Sequence, residues 1–220
     1  MKENRSIEQI LIVGSGEDFK AEKIKAVCAD VQLVIAGDGG ADILADVGIV
    51  PDILIGDMDS ISPKSTDAVR GNCEVFKYPK EKDYSDSQLC IKKALEYNPR
   101  KIILAAVTGT YIDHSIANLI NLFQVRKCGT EIEIMTSNSR IFVITPNKPA
   151  EIVGKNGRRF SFFPIEPIEG LVMNGFYYHF SGDSLNRWEY SLSNVINNDN
   201  ALLAFKTGKG IGILFDEDFS

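Results

Sequence analysis

QILIVGSGEDFKAEKIKAVCADVQLVIA, residues 9–36, decides the reading of the fold. Two runs that are apolar at consecutive positions, QILIV and QLVIA, flank EDFKAEKIKAVCAD, whose apolar residues recur at helical spacing. A strand apolar on both faces needs cover on both, which a parallel sheet with helices above and below supplies. Working outward, DILIG, CEVFKY, KIILAAV and EIEIM read as further strands, and DSQLCIKKALEY and DHSIANLINLFQVRKC as helices between them. This alternation predicts an α/β fold over residues 1–137, a parallel sheet with helices on both faces.

Beyond Ser137 the pattern changes. RIFVIT, RRFSFFPI, GLVMNGFYYHF, WEYSLS, ALLAFKT and GIGILF are short strand candidates spaced by Asn, Gly, Pro and Asp, with little helical periodicity. Residues 138–220 are therefore expected to form a smaller all-β sandwich or barrel, with the boundary at TSNS, residues 136–139.

A chain of 220 residues with 44% hydrophobic and 25% charged residues has the composition of an ordinary globular protein. Its net charge of −6, without a basic stripe, argues against a nucleic-acid-binding function. An anionic ligand would need a local device: backbone amides, a few placed cations or a metal ion. Cys28, Cys73, Cys90 and Cys128 are scattered and form no CxxC pair, as expected of reduced thiols in a cytoplasmic protein. No apolar run is long enough for a membrane span, and the N-terminal one is too short for a signal peptide.

In an open parallel sheet, ligands bind where the loops gather at the carboxyl ends of the strands. GDMDS, residues 56–60, is such a loop, and it sets Asp57 and Asp59 one residue apart. Neighbouring carboxylates repel unless a cation lies between them, and Mg2+ commonly bridges one or two carboxylates to substrate phosphates. A solvated Asx turn is the plainer account of that loop. EKDYSDSQ, residues 81–88, adds Asp83 and Asp86 at a helix start, where acids are also ordinary caps. Four acids at the ends of neighbouring strands are more informative than either pair. GDGGAD, residues 37–42, offers the amides of Gly39 and Gly40 as an anion site, or is simply a tight turn. GSGEDF, residues 14–19, lacks the third glycine of a dinucleotide fingerprint, which speaks against NAD. TGTYIDHSIANL, residues 108–119, opens a helix with Asp113 and His114, the latter a capping or core residue before it is a general base.

Taken in order, AGDGGAD, IGDMDSI, EKDYSDSQ, TGTYIDHSIANL and SLSN (191–194) resemble thiamine pyrophosphokinase (thiamine diphosphokinase) of the bacterial type over nearly the whole chain. The resemblance implies a Rossmann-like ATP domain, a β domain that helps bind thiamine, and a homodimer with active sites at the subunit interface. The implied reaction transfers the pyrophosphoryl group of ATP to the thiamine hydroxyl, giving thiamine diphosphate and AMP. Carried onto matching positions, Asp57, Asp59 and Asp86 become catalytic and Mg2+-binding, with Asp83 beside them as a further metal ligand. Asp38, Gly39, Gly40, Lys82, Gly109, Asp113 and His114 would face the nucleotide, and Ser193 and Asn194 would contact thiamine. Thiamine is a cation with flat rings, so Trp188, Tyr190, Tyr177 and Tyr178 are candidates to stack on it, Trp188 first, or else they fill the sandwich core.

Departures from the family pattern are Thr110 for a Gly, Tyr111 for an Arg, Val195 for a Glu and Met58 for a Phe. The lost Arg removes a phosphate contact that Lys80, Lys82 or Arg140 would have to replace. Two rivals remain open: a related pyrophosphokinase acting on a hydroxymethyl pterin, and a thiamine- or nucleotide-binding protein without catalysis, which the missing Arg favours and the four acids oppose.

Overall fold

The computed structural model describes residues 7–59, 61–81, 83–125 and 129–218, which divide into two compact units, Met1–Ser137 and Asn138–Ser220. In the first, β1 (Gln9–Val13), β2 (Leu33–Gly37), β3 (Ile53–Gly56), β4 (Glu74–Lys77), β5 (Lys101–Ala105) and β6 (Glu131–Met135) alternate with five helices. These are α1 (Ala21–Asp30), α2 (Gly40–Asp46), α3 (Pro63–Val69), α4 (Asp86–Leu95) and α5 (Ile112–Asn121). The strands pair in parallel in the order β6-β5-β1-β2-β3-β4. The chain thus starts in the middle, runs outward from β1 to β4, and crosses back to β5 on the other side of β1. The gap between β1 and β5 is the topological switch point at which such sheets bind ligands.

Alternate residues of each strand face opposite layers. Leu11, Val13, Val34, Ala36, Leu54, Ile103 and Ala105 meet Ile24 of α1, Ala41 and Leu44 of α2 and Val69 of α3 in one buried cluster. On the other face α4 lies across β1, β2 and β3, and Gly37 sits within van der Waals reach of the Cys90 thiol. Both faces of β1 and β2 are covered, as their unbroken apolar runs require.

Local chemistry shifts the helix boundaries. α1 starts only at Ala21, because residues 14–18 extend the β1–β5 pairing instead: the amides of Gly14, Gly16 and Asp18 donate to Ala105, Ala106 and Thr108 carbonyls. α3 was not apparent from apolar spacing. Its start is chemical, with Ser62 capping the amide of Ser65 at 3.3 Å and Pro63 in the first turn.

The second unit has an antiparallel sheet in the order β13 (Ser191–Val195), β9 (Arg158–Pro164), β15 (Gly210–Asp218), β7 (Ser139–Ile144). A second sheet orders β11 (Val172–Asn174), β14 (Asn200–Ala204), β8 (Ala150–Val153), and a small ribbon joins β10 (Ile168–Glu169) to β12 (Ser184–Leu185). Phe160, Phe162, Ile144 and Leu214 from the first sheet pack with Ile152, Met173, Ala201 and Leu203 from the second, so the unit is a sandwich. Gly210 and Gly212 carry no side chain because a Cβ there would press into Phe162 and Ile144. GLVMNGFYYHF is not one strand. It breaks at Gly175, whose φ of +76° turns the chain close against Asn200.

Candidate functional site

At the carboxyl end of β2, Asp38 takes a left-handed backbone (φ +40°) and is almost fully buried. Met58, in GDMDS after β3, is left-handed too (φ +69°) and donates its amide to Asp38 Oδ1 at 3.1 Å. Gly56 makes room for this: a Cβ there would overlap the Asp38 carboxylate. Asp86 reaches the same place from the start of α4, and both it and Asp57 are close enough for their charges to act on Asp38. The Asp38 carboxyl is held above the usual range, first by burial and then by the charges of Asp86 and Asp57, against the opposing pull of the Met58 amide. Strained backbone and a perturbed acid at one point are marks of a functional site.

Asp86 is available for this because Ser85 does the capping. Ser85 Oγ accepts from the Gln88 amide, and Gln88 Oε1 accepts from the Ser85 amide, a reciprocal box that leaves the next carboxylate aimed at the crevice. Asp42 is a brace that sequence reasoning missed. It accepts from the Ser62 hydroxyl at 2.6 Å and from its amide, tying the end of the GDMDS loop to α2. Burial raises its pKa, but the bonds from Ser62 and Ser65 outweigh that and leave it below the ordinary value.

Asp59 and Asp83 stand further out. Both are exposed; the Asp59 amide donates to Asp57 Oδ1 at 2.9 Å and its carboxylate pairs with Lys80 at 3.6 Å. Lys82 lies outside the described residues, as does Cys128. Arg140 is on β7, in the second unit. The GDGG turn is used for packing, with the Asp38 amide donating to Ile55 and Gly40 pressed on the Val13 carbonyl.

Next to the acids, an open cleft lies at the switch point, lined by Ser15, Gly16, Thr108, Gly109, His114 and Asn118 among others. It adjoins a second hollow formed by Gly37, Asp38, Asp86 and Cys90, and the two share Gly14, Ser15, Ser87 and His114. Ala106, at the end of β5, is left-handed (φ +52°). The Gly109 amide is committed to Ser115 Oγ at 3.2 Å. Asp113 accepts from the His114 amide, and both are exposed beside Tyr111, whose ring centroid is 5.7 Å from that of His114.

The sequence pattern of the thiamin pyrophosphokinase catalytic domain matches residues 24–134, just over half of the chain and the segment that carries every acid of this site. The chain belongs to the thiamin pyrophosphokinase family. A thiamine pyrophosphokinase of Bacillus subtilis (strain 168) is 28% identical over 214 residues, covering 94% of this chain and 98% of that one. A crystal structure of thiamine pyrophosphokinase from Bacillus subtilis superposes with a TM-score of 0.83 at 25% identity, over 96% of this chain and 100% of the other. Thiamin pyrophosphokinase from Candida albicans, at 15% identity, shares the fold with a TM-score of 0.81, over 98% and 91% of the two chains.

The SLSN motif, residues 191–194, draws attention to the second unit. There Ser193 is left-handed (φ +53°) at a bulge in β13 and donates its amide to Ser161 Oγ at 3.0 Å. Asn194, expected to touch a ligand, is fully buried. Its Nδ2 donates to the Tyr178 carbonyl and to Ser191 Oγ, and its Oδ1 accepts from the Tyr178 and Val195 amides. All four of its hydrogen-bonding positions are therefore used within the protein. Trp188 and Tyr177, Tyr178 and Tyr190 are exposed rather than core, Trp188 by 78%. Tyr177 and Tyr178 meet edge to face at 4.8 Å, and Tyr190 stacks on Phe163 at 5.5 Å. Among the described residues no helix is long and apolar enough to cross a membrane.

Proposed function

We propose that this chain transfers the pyrophosphoryl group of ATP to the hydroxyl of thiamine, releasing thiamine diphosphate and AMP. The observation that carries this reading is the buried carboxyl of Asp38 with the charges of Asp86 and Asp57 beside it, in the segment matched to the family. Holding like charges together is costly, and a cation relieves it.

Mg2+ fits this donor set. Among the described residues no three such side chains form a ready metal cage, but Mg2+ keeps several waters and needs only one or two carboxylates besides substrate phosphates. Asp57 and Asp86 would hold it, with Asp59 and Asp83 towards solvent. When bound, the ion neutralises charge on the phosphate oxygens.

The chain's own residues do the rest. Asp38, fixed by Met58 and Gly56, orients Asp86. Asp86 accepts the proton of the attacking hydroxyl, a modest task in phosphoryl-type transfer, where positioning dominates. The cleft between β1 and β5 receives the nucleotide, and Lys80 stands in for the cation that Tyr111 does not supply. Exposed aromatic faces in the second unit, Trp188 and Tyr178 among them, receive thiamine, with Ser193 presented by its bulge. The apolar outward face of α5, Ile112, Ile116 and Ile120, supports assembly as a homodimer.

Incubation with ATP, Mg2+ and thiamine should yield AMP and thiamine diphosphate in equal amounts. Binding of both substrates with no AMP formed would support the non-catalytic rival, and turnover only with a hydroxymethyl pterin would change the acceptor.

A further inference from the structure

Helix α5 is inverted for a helix that covers a sheet. Its buried residues are Ser115, Asn118 and Asn121, while Ile112, Ile116 and Ile120 face outward. Polar side chains in such a place cost stability unless each finds a partner. Here each does. Ser115 Oγ accepts from the Gly109 amide at 3.2 Å and donates to the Tyr111 carbonyl at 3.1 Å. Asn118 Nδ2 donates to the Val107 carbonyl at 2.8 Å, and Asn121 Nδ2 donates to Asn118 Oδ1 at 3.3 Å. Every one of these bonds leads, directly or through Asn118, to the segment from Val107 to Tyr111 that walls the cleft.

We propose that Asn118 is a positioning residue for the nucleotide cleft, acting through the Val107 carbonyl; this rests on the reading that the cleft receives ATP. The wall needs such a hold because it starts from a left-handed residue, Ala106, just past the end of β5. The wall is also one side of a double lip. Residues 14–18 hang on it through Gly16 to Ala106 and Asp18 to Thr108, and through Thr110 Oγ1 to Glu17 at 2.5 Å. Releasing Val107 therefore loosens both lips at once. A Leu at 118 would fill space but leave the Val107 carbonyl without its donor. Asn121 orients the Asn118 amide from behind.

The test compares Asn118→Ala with Thr130→Val. Thr130 Oγ1 donates to the Pro99 carbonyl at 2.8 Å, a buried bond of the same kind at the opposite, amino-terminal edge of the sheet. Both variants should lose a similar amount of thermal stability. Asn118→Ala should raise KM for ATP about tenfold, with kcat and KM for thiamine within about threefold, whereas Thr130→Val should leave all three within about threefold. An ATP KM for Asn118→Ala equal to that of Thr130→Val overturns the proposal, because the bond then matters only for stability. Should Asn118→Ala fail to fold, Asn121→Ala decides: a rise in the ATP KM beyond that threefold margin supports the proposal and a value within it overturns it. Hydrogen exchange on the wild type separates this from failure of the cleft reading. A nonhydrolysable ATP analogue that binds without protecting residues 106–111 removes the cleft as the nucleotide site, and the role of Asn118 with it.

Discussion

Asp38→Asn should make the ligand-free protein more stable while slowing the reaction. Asp38 is 9% exposed, with the charges of Asp86 and Asp57 close enough to act on it. Burial, then those neighbours, hold its carboxyl above the usual range. Two unit charges 4 Å apart repel by about 4 kcal/mol at an effective dielectric near 20. The open crevice screens the pair and a shared proton relieves it part of the time, so removing one charge should return ~1–2 kcal/mol. Asn keeps an oxygen for the Met58 amide and presents an N–H to Asp86. For a chain of this size the gain corresponds to a rise of roughly 2–8 °C in Tm. The sign with pH follows from the raised pKa. The folded state binds the proton more tightly than the unfolded state, so the wild type loses stability as pH rises from about 4 through the folded value. The advantage of the variant is then larger at pH 8 than at pH 5, because it narrows as pH falls. Calorimetry without Mg2+ at pH 8 and pH 5, beside turnover at saturating ATP, measures both arms. A lower Tm at pH 8, or a gap that does not narrow in acid, would refute the strained-pair account.

Other perturbations test separate parts of the structure. Asp86→Asn should lower turnover by ~100-fold or more, as expected for loss of a principal electrostatic group; retention of activity within a few-fold would remove Asp86 from the chemistry. On the homodimer proposed above, Ile116→Glu should give a monomer in sedimentation equilibrium where the wild type gives a dimer, and a dimeric variant would move the interface away from α5. Burial, aided by Asp52, raises the Cys28 and Cys73 thiols to about 11. The folded state thus holds these protons more tightly, and the stability they contribute is complete below about pH 9 and lost as pH rises to 11. Alkylation followed by mass spectrometry should be slow at both cysteines at pH 8 and accelerate only in strong alkali; rapid labelling at pH 8 would contradict their burial.

What could be read from the chain depended on how far each signal acts. QILIV and QLVIA announce cover on both faces by composition alone, and β1 and β2 have it. The Ser85–Gln88 box and the GDMDS loop are local patterns, legible within a few residues, and they place Asp86 and Asp57 at the carboxyl edge of the sheet. The contact between Asp38 and Asp86 is different. Forty-eight positions separate them (86 − 38), and only the parallel pairing of β1, β2 and β3 under α4 brings them together. Locally Asp38 reads as part of a glycine-rich turn; the nearness of its carboxylate to Asp86 and Asp57 is a long-range feature. Asn194 is the opposite case: as a motif residue it suggests ligand contact, and only the fold shows its amide turned inward at a bulge in β13, bonded to the backbone of Tyr178.

Helix α5 shows the limit of periodicity as a guide. A stripe of Ile at 112, 116 and 120 with Ser and Asn opposite states that two environments exist, not which of them is the protein's interior. The usual assignment, apolar inward, fails here because the strand-end carbonyl of Val107 and the amide of Gly109 need partners that Ile cannot give. Once the polar stripe is committed to those groups, the Ile stripe must face outward, where water is a poor neighbour for it. One helix then couples two proposals. If a second copy covers Ile116, assembly presses on the same rod whose inner face steadies the nucleotide cleft, so the Ile116→Glu monomer should show a raised KM for ATP as well as a changed mass. A monomer with an unaltered ATP KM would mean that the two faces of α5 act independently.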